Sequence, residues 1–405
     1  MKTQELFKSK DKCCGCGVCA VSCPKQCIYM KEDKNGFIYP NIDEAECINC
    51  GQCVKNCNFQ NVKKEQSIKE TYVAVSDDTD VSQSASGGIF ASYAQSILNQ
   101  GGIVYGCAMI ESNGILYPRH IVIKDTKDLY LLQGSKYVQS DMDGVYQDVK
   151  MRLEKENLVL FSGTPCQVAA LKAFLKKEYK NFYTLDIICH GVPSVKLFQD
   201  YINFCEKKLR GKVKDFRFRD KSKGWKLYGR IILEGFSGNS RKLFFEPEKS
   251  SYYQMFLDMY TYRESCYKCP YASDNRQGDI TIGDYWCVEL VHPELINYHK
   301  NLLEKGVSCM IINNTKGKEL LQKFGYGIRK FNSTYEKASK YNAQLCEPSE
   351  LKLEREKVFR KYSKGYATLE RWYRRKSFPI QVRRKIIRCM PQAIKKIIKR
   401  VFHRG

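Results

Sequence analysis

Short apolar runs alternate with helix-like periods through the middle of this chain of 405 residues. Four apolar runs have the length and the β-branched or aromatic content of buried strands, at residues 72–75, 103–107, 158–161 and 183–188. Residues 89–98 and 167–177 instead repeat their apolar positions at the spacing of a helix. Strands that alternate with helices predict an α/β (α+β) core with parallel strands. Residues 212–245 alternate apolar and polar positions, which predicts a more antiparallel insertion.

A polar stretch at residues 61–70 predicts a linker near the start of the chain. We therefore predict an N-terminal domain at residues 1–62. A larger mixed α/β domain follows, and its two parts span residues 70–150 and 151–345. Residues 346–405 are predicted to form a basic tail.

The composition is that of a globular protein, with 43% apolar and 12% aromatic residues. No apolar run reaches the roughly 18 residues that a membrane-spanning helix needs. The first residues lack the apolar centre of a signal peptide. We therefore expect a cytoplasmic, reducing location.

The formal net charge of +24 is concentrated at the C-terminal end, because residues 371–405 contain 13 lysines and arginines and no acidic residue. Apolar pairs between the basic clusters predict an amphipathic helix that is broken near Pro379 and Pro391. Such a helix would hold the protein peripherally on the inner face of a membrane. The alternative is a solvated, partly disordered end. Nucleic acid is not an expected partner, because no recognised binding module accompanies the charge.

Two copies of one cysteine motif lie within the first 60 residues. The first copy consists of Cys13, Cys16, Cys19 and Cys23, and the second of Cys47, Cys50, Cys53 and Cys57. This is the ligand spacing of a bacterial ferredoxin with two 4Fe–4S clusters, in which each triplet takes its fourth ligand from the other motif. One cluster is therefore predicted at Cys13, Cys16, Cys19 and Cys57, and the other at Cys47, Cys50, Cys53 and Cys23.

Zinc and disulfides are the alternatives for these cysteines. Zinc sites usually use cysteine pairs rather than triplets, and disulfides need an oxidising compartment. The spacing therefore favours iron–sulfur clusters. Cys14 and Cys27 fall outside the register and are interpreted as bystanders.

A second group of cysteines lies in the predicted α/β domain. Cys166 and Cys189 each follow a predicted strand, and Cys266 and Cys269 form a pair followed by proline. Because ligands gather at the carboxyl ends of parallel strands, these four thiols are candidates for a third 4Fe–4S cluster. The alternative is two buried structural cysteines and an incidental pair.

A loop rich in serine and glycine precedes the first predicted helix and contains Ser84, Ser86, Gly87 and Gly88. Backbone amides at a helix start suit a phosphate such as the pyrophosphate of a flavin. Lys136 is a candidate cation for the same anion. A simple helix cap and a surface lysine are the alternatives.

Taken together, these phrases resemble the β-subunit family of coenzyme F420-reducing hydrogenases and dehydrogenases, with an N-terminal ferredoxin domain. The matching segments are the loop at residues 84–88 and residues 134–138, 163–167, 189–194, 218–221, 224–225, 266–269 and 279–286. The resemblance implies FAD next to a 4Fe–4S cluster in the larger domain, and it makes the loop and Lys136 expected flavin contacts. The basic tail favours the bacterial members associated with polysaccharide genes.

The family resemblance leads to a functional hypothesis. We expect an oxidoreductase in which electrons pass between a redox protein partner, the clusters and a flavin, with hydride transfer to or from a small-molecule substrate. Two alternatives stay open, namely a coenzyme F420 oxidoreductase subunit and an electron-transfer subunit without substrate chemistry of its own.

The candidates near the hydride acceptor are His190, Asp279 and Asp284, which are expected in loops at strand ends. For His190 the alternative is a structural hydrogen bond, and for Asp284 it is the cap of a turn.

Overall fold

The computed structural model describes residues 6–62, 68–77, 79–235, 238–295 and 305–389, and only the backbone for residues 79–80 and 379–389. The strands in these ranges are β1 (Ile28–Glu32), β2 (Ile38–Ile42), β3 (Glu70–Ser76), β4 (Ile103–Ser112), β5 (Ile115–Ile123), β6 (Val159–Gly163), β7 (Phe182–Ile187), β8 (Gly211–Arg217), β9 (Gly229–Gly235), β10 (Ser240–Phe245), β11 (Ile280–Asp284), β12 (Ser308–Ile312) and β13 (Ile328–Ser333).

The α-helices in the same ranges begin with two short ones near the cysteine motifs. They are α1 (Val18–Val21), α2 (Gln52–Lys55), α3 (Ile89–Asn99), α4 (Leu129–Leu132), α5 (Val145–Glu154), α6 (Pro165–Leu175), α7 (Val195–Leu209), α8 (Ser251–Leu257), α9 (Val288–Val291), α10 (Thr315–Phe324), α11 (Tyr335–Ser339), α12 (Glu354–Tyr362) and α13 (Tyr366–Cys389).

The N-terminal domain is a small hairpin that carries the two cysteine loops. Strands β1 and β2 pair antiparallel, from Ile28 opposite Ile42 to Glu32 opposite Ile38. The short helices α1 and α2 each begin after a glycine with positive φ. The buried core of this domain is made largely of cysteine and a few aliphatic side chains. So small an apolar core favours stabilisation by bound metal.

The larger domain is built on an eight-stranded sheet in the order β13-β3-β12-β11-β7-β6-β4-β5. Its four central strands, β4, β6, β7 and β11, are parallel. The outer strands pair antiparallel on both sides. Helices α3 and α10 cover one face, and α5 and α6 cover the other. The prediction of an α/β fold is confirmed, with antiparallel strands at the edges.

The predicted antiparallel insertion is present as the three-stranded sheet β10-β9-β8. It packs against α7 and α8 through an aromatic cluster that includes Phe198, Phe216, Phe218 and Tyr252. This cluster places the segment after β8, which begins with Phe218, beside the larger sheet.

The predicted tail begins as part of this core. Helices α12 and α13 bury Tyr362, Tyr366, Leu369 and Tyr373 among the aromatic side chains of the larger domain. The predicted helix break near Pro379 is wrong, because α13 continues to Cys389. Burial of its first turns anchors the helix, and tertiary packing outweighs the hydrogen bond that a proline removes.

The other predicted break, near Pro391, lies outside the described residues. Over the described residues, we find no helix both long enough and apolar enough to span a bilayer.

Candidate functional site

The first set of thiols belongs to the N-terminal domain. Gly15 and Gly17 have φ values of 69° and 78°, so the chain turns tightly around the first motif. The fold brings the last cysteine of the second motif to this loop, so that the set consists of Cys13, Cys16, Cys19 and Cys57. Burial raises the pKa of Cys13 to about 12, and the neighbouring thiols Cys16 and Cys57 add to this effect. Such crowded sulfurs fit a site that binds them as thiolates.

The second set lines a small cavity at the far end of the same domain. It consists of Cys23, Cys47, Cys50 and Cys53. Cys50 is exposed, so this set lies at the protein surface. Cys27 lines the same cavity, and its Sγ lies 3.4 Å from that of Cys23. The spacing rules therefore separated Cys27 from a set that it contacts.

The third set comes from three segments of the larger domain. Cys166 lies in the first turn of α6, which a Thr164–Gln167 capping box begins. Cys189 follows β7, and the turn at Glu264–Lys268 supplies Cys266 and then Cys269. Burial raises the pKa of each of the last three thiols, and each has neighbouring cysteine thiols of the set among its causes. The structure therefore brings together the four thiols predicted for a third cluster.

A close approach of two loops holds this third set together. Gly191, with φ of 141°, lies against the ring of Tyr262, and a Cβ at this position would come within 2.5 Å of that ring. The backbone N–H of Arg263 donates to the carbonyl of Val192 at 2.9 Å. A side chain at Gly191 would therefore separate the loop that carries Cys189 from the turn that carries Cys266.

The first and third sets meet at the junction of the two domains. One packed cluster contains Phe59 and Tyr271 together with cysteines of both sets, namely Cys16, Cys57, Cys166 and Cys269. Asn58 Nδ2 donates to the Ala169 carbonyl at 3.1 Å, and Tyr271 Oη donates to the Asn58 carbonyl at 3.0 Å. The two sets of thiols are thus joined by direct packing.

Cys14, interpreted from the spacing as a bystander, lies at this junction. A hydrogen bond with Cys14 lowers the pKa of Cys166 to about 7 against the effect of burial, and the Thr164 hydroxyl, 3.1 Å away, adds to the effect. Gln139 Nε2 holds the Cys14 carbonyl from the other domain at 3.3 Å. Only the tertiary contact distinguishes Cys14 from an ordinary buried cysteine.

A chain of hydrogen bonds leads from the Cys166 sulfur to a buried histidine. Thr164 contacts Gln167 at 3.0 Å, Gln167 Nε2 donates to Ser140 Oγ at 2.8 Å, and Ser140 contacts His120 Nδ1 at 2.8 Å. His120 Nε2 lies 3.0 Å from the Ser162 carbonyl, which can only accept, so Nε2 carries the proton. Burial lowers the pKa of His120 to about 4, so the ring is neutral near pH 7. Nothing in the sequence pattern marked this histidine.

A cavity of about 1050 Å³ opens beside these thiols. The carboxyl ends of β6, β7 and β11 border it, as expected for a ligand site in an α/β sheet. Its walls include Cys166, Cys189, His190 and Asp284. The volume is at the upper end of ordinary cofactor sites.

The loop at residues 84–88 lies on the wall of this cavity and is anchored from behind. Ser86 Oγ donates to the Val307 carbonyl at 2.7 Å, and the Gly87 N–H donates to Ser308 Oγ at 2.9 Å. Ser84 and Gly88 also line the cavity, and Gly88 precedes α3 with φ of 83°. A Cβ at Gly87 would come within 2.5 Å of a backbone carbonyl, so the loop needs this glycine for close packing.

Lys136 lies at the cavity, but its ammonium group is occupied. Nζ donates to three backbone carbonyls, those of Leu131, Leu132 and Gln133, at 2.8 to 3.1 Å. Burial lowers the pKa of Lys136 to about 8. These three bonds satisfy carbonyls at the end of α4, so Lys136 supports the cavity wall rather than pointing a free cation into it.

Asp284 lies at the carboxyl end of β11 and faces the cavity. Its carboxylate accepts from Arg219 at 2.9 Å and from Trp225 Nε1 at 2.9 Å. Arg219, whose side chain is 1% exposed, also donates to the Ala85 carbonyl and so fastens the loop at residues 84–88. Trp225 stacks on Trp286 with ring centroids 5.7 Å apart. The sequence marked Arg219 and Trp225 only through the family phrases.

His190 follows Cys189 and borders the same cavity. Burial lowers the pKa of His190, and the Asp284 carboxylate opposes this shift. Its backbone carbonyl accepts a hydrogen bond from Ser349 Oγ at 2.5 Å, which holds the loop in place. The imidazole is therefore positioned beside the cavity in its neutral form.

Asp279 does not belong to this arrangement. It precedes β11, whereas Asp284 ends it, so the two lie at opposite ends of a strand roughly 16 Å long. Its carboxylate accepts from the N–H and the hydroxyl of Thr184, both at 2.7 Å, and from Asn314 at 3.0 Å. The structure thus gives Asp279 a supporting position away from the cavity.

Asp279→Asn is expected to lower the free energy of unfolding by about 1–3 kcal/mol, because an amide nitrogen cannot accept the Thr184 hydrogen bonds. Urea unfolding followed by circular dichroism measures this loss. The folded fraction is expected to keep wild-type iron content. A folded, equally stable variant that had lost its redox activity would contradict the supporting role.

Comparisons with known proteins agree with this geometry. The family that describes the C terminus of the beta subunit of coenzyme F420 hydrogenase/dehydrogenase matches residues 156–327, which contain all four cysteines of the third set. The family described as “4Fe-4S dicluster domain” matches residues 12–61.

Two curated relatives match the N-terminal domain. An uncharacterized ferredoxin of Methanocaldococcus jannaschii is 38% identical over 53 residues, which are 13% of this chain and 68% of the relative. Pyruvate synthase subunit PorD of Methanothermobacter marburgensis is 32% identical over 65 residues, which are 16% of this chain and 70% of the relative.

Among solved structures, a chain from the xenon-derivatised F420-reducing [NiFe] hydrogenase complex of Methanosarcina barkeri is similar, with a TM-score of 0.43 and 15% identity. The match covers 75% of this chain and 94% of the other.

The N-terminal match supports two 4Fe–4S clusters, in agreement with the two sets of thiols in that domain. The matched family consists of hydrogenase and dehydrogenase subunits, which makes the protein an iron–sulfur oxidoreductase component. The chain therefore belongs to the coenzyme F420 hydrogenase/dehydrogenase beta subunit family and carries a 4Fe–4S dicluster domain at its N-terminal end.

Proposed function

We propose that this protein is an iron–sulfur flavoprotein that passes electrons between a redox protein and FAD, with hydride transfer to or from a small-molecule substrate. One observation carries the proposal. The third set of thiols lies between the first set, which it contacts, and the large cavity, whose wall includes Cys166 and Cys189. A site in this position connects the dicluster domain to the place where a substrate can bind.

A third 4Fe–4S cluster fits the donor set at Cys166, Cys189, Cys266 and Cys269. The donors are four thiols, as such clusters require. In the described part of the chain, no three histidine, cysteine or acidic side chains converge as they would around a single metal ion. The wider spacing of these thiols favours a cube of iron and sulfur over mononuclear zinc.

FAD fits the cavity by size and by lining. Ser84, Gly88 and the first turn of α3 border the space, where backbone amides suit a phosphate group. Bound FAD would supply the conversion between one-electron and two-electron transfer. Ser86, Gly87 and Lys136 support this site by holding its wall, because their polar groups are bonded within the protein.

His190 and Asp284 are the proposed residues beside the substrate. A neutral imidazole at His190 is able to accept a proton at a ring nitrogen or to donate one. Asp284 is held by Arg219 and Trp225, so its carboxylate orients neighbouring groups and keeps the loop at residues 84–88 in place. The buried walls exclude water from the space between them.

Cofactor analysis tests the proposal directly. Protein purified anaerobically is expected to contain about 12 irons and about one flavin per chain, because three 4Fe–4S clusters hold four irons each. About eight irons with a full complement of flavin would remove the third cluster. Absence of flavin would contradict the proposed hydride chemistry.

The two alternative functions differ from this one in simple assays. A coenzyme F420 oxidoreductase subunit would change the absorbance of the deazaflavin when reduced anaerobically with dithionite. An electron-transfer subunit without substrate chemistry would hold no flavin and would turn over only with its partner present. Contact of the basic tail with a membrane surface stays a prediction from composition.

A further inference from the structure

Arg263 is a fully buried cation at the domain junction. Its guanidinium donates to Gln139 Oε1 at 2.9 Å and 3.1 Å. It also donates to the backbone carbonyls of Ile38 at 2.9 Å and Cys13 at 3.4 Å. The group lies over the ring of Tyr39 with its centroid at 4.7 Å. All of these partners are electrically neutral.

The other buried arginines of the larger domain have carboxylate partners. Arg219 pairs with Asp284 at 2.9 Å, and Arg276 pairs with Asp186 at 3.3 Å. Glu264, the residue after Arg263, is instead 3.9 Å from Arg355. Across the described ranges of the chain, no acidic side chain lies within 4 Å of the Arg263 guanidinium. A buried charge without a counter-ion is costly, so an anion is expected nearby.

The thiols of the first and third sets are the candidates for this anion. Burial raises the pKa of Cys13 to about 12 and that of Cys266 to about 11, and the charge of Arg263 opposes both shifts. Arg263 likewise contributes to the low pKa of Cys166, after the hydrogen bonds from Cys14 and Thr164. The cation therefore faces sulfurs of both sets at once. The second set lies at the other end of the N-terminal domain.

We propose that Arg263 is the shared counter-cation of the two iron–sulfur sites that meet at the domain junction, and that it raises the reduction potential of both. For the site in the larger domain, the inference rests on the proposed function. Each electron that crosses the junction oxidises one site and reduces the other, so the negative charge moves but stays near Arg263. Net charge is a main determinant of cluster potential.

Arg263 also has a structural role that the experiment must separate. Its bonds to Ile38 and Cys13 fasten the N-terminal domain to the turn that carries Cys266. A Cβ at Gly15 would come within 2.5 Å of the guanidinium, so the two domains approach closely here. Gln139→Leu removes neutral hydrogen bonds at the same place, to Arg263 and to the Cys14 and Gly15 carbonyls, and keeps the charge.

Redox titration of the full-length, anaerobically purified protein, followed by electron paramagnetic resonance, tests the proposal. Arg263→Gln is expected to lower the reduction equilibrium constant of the junction sites at least tenfold, or about 59 mV for a one-electron couple. The site at Cys23, Cys47, Cys50 and Cys53 is expected to keep its potential and serves as an internal control. Arg263→Lys and Gln139→Leu keep the charge and are expected to stay within threefold of the wild type.

Unchanged potentials in Arg263→Gln would overturn the proposal, as would an equal shift in Gln139→Leu. If Arg263→Gln does not retain its iron, the two charge-conserving variants decide, because a tenfold fall in either contradicts a role of charge. Iron content separates this inference from the proposed function. About eight irons in the wild type would remove the third cluster, while the shift at the first cluster would still be measurable.

Discussion

The double variant Cys266→Ser, Cys269→Ser is expected to lower the iron content of the anaerobically purified protein from about 12 to about 8 per chain. The two cysteines come from one turn, and their loss leaves Cys166 and Cys189 as the remaining thiols of the third set. Two thiolates do not hold a 4Fe–4S cube. Colorimetric iron analysis measures the loss, and electron paramagnetic resonance should show that one of three signals has disappeared.

Cys14→Ser is the matched control for this experiment. Cys14 lies at the same junction and contacts Cys166, but it is not a proposed ligand. The control is expected to keep about 12 irons. A loss of about four irons in Cys14→Ser, with none lost from the double variant, would make Cys14 a ligand and would contradict the proposed set.

Arg219→Met is expected to lower the free energy of unfolding by about 3–5 kcal/mol, because it leaves the Asp284 carboxylate without its buried partner. The same change removes the hydrogen bond to the Ala85 carbonyl, so the loop at residues 84–88 loses an anchor. We therefore also expect the variant to lose flavin during purification. Urea unfolding and the flavin absorbance of the purified protein measure the two effects.

A second substitution separates the ion pair from simple loss of packing. Arg219→Met combined with Asp284→Asn removes both charges, and the double variant is expected to regain at least half of the lost stability. Arg217→Met is the surface control, because Arg217 pairs with Asp215 at 3.5 Å outside the core. It should cost less than about 1 kcal/mol. No recovery in the double variant would mean that the pair is not coupled.

Much of the fold follows from local sequence pattern. The four apolar runs all lie within strands of the main sheet, and the alternation at residues 212–245 marks the antiparallel insertion. The edges of the sheet were not predictable in this way. Strands β5, β12 and β13 join it by antiparallel pairing between segments that are distant in sequence or by a hairpin that the pattern did not mark. Pairing partners depend on the packed sheet, which no single window of sequence contains.

The candidate site shows the same division. Lys136 has a suitable charge, but the end of α4 occupies its ammonium group. Asp279 and Asp284 are five residues apart, which places them at opposite ends of one strand. Arg263 has no motif of its own, and its position emerges only where two domains meet around it.

The sequence by itself determined the chemistry of the N-terminal domain, because the ligands of each cluster are spaced by a few residues and the spacing survives without the fold. It also marked the four thiols of the third set as candidates. Only the tertiary structure placed that set between the ferredoxin cysteines and the cavity. The reason is physical: its members come from three separate segments, and their approach depends on parallel strands, the close packing at Gly191 and the contacts between domains.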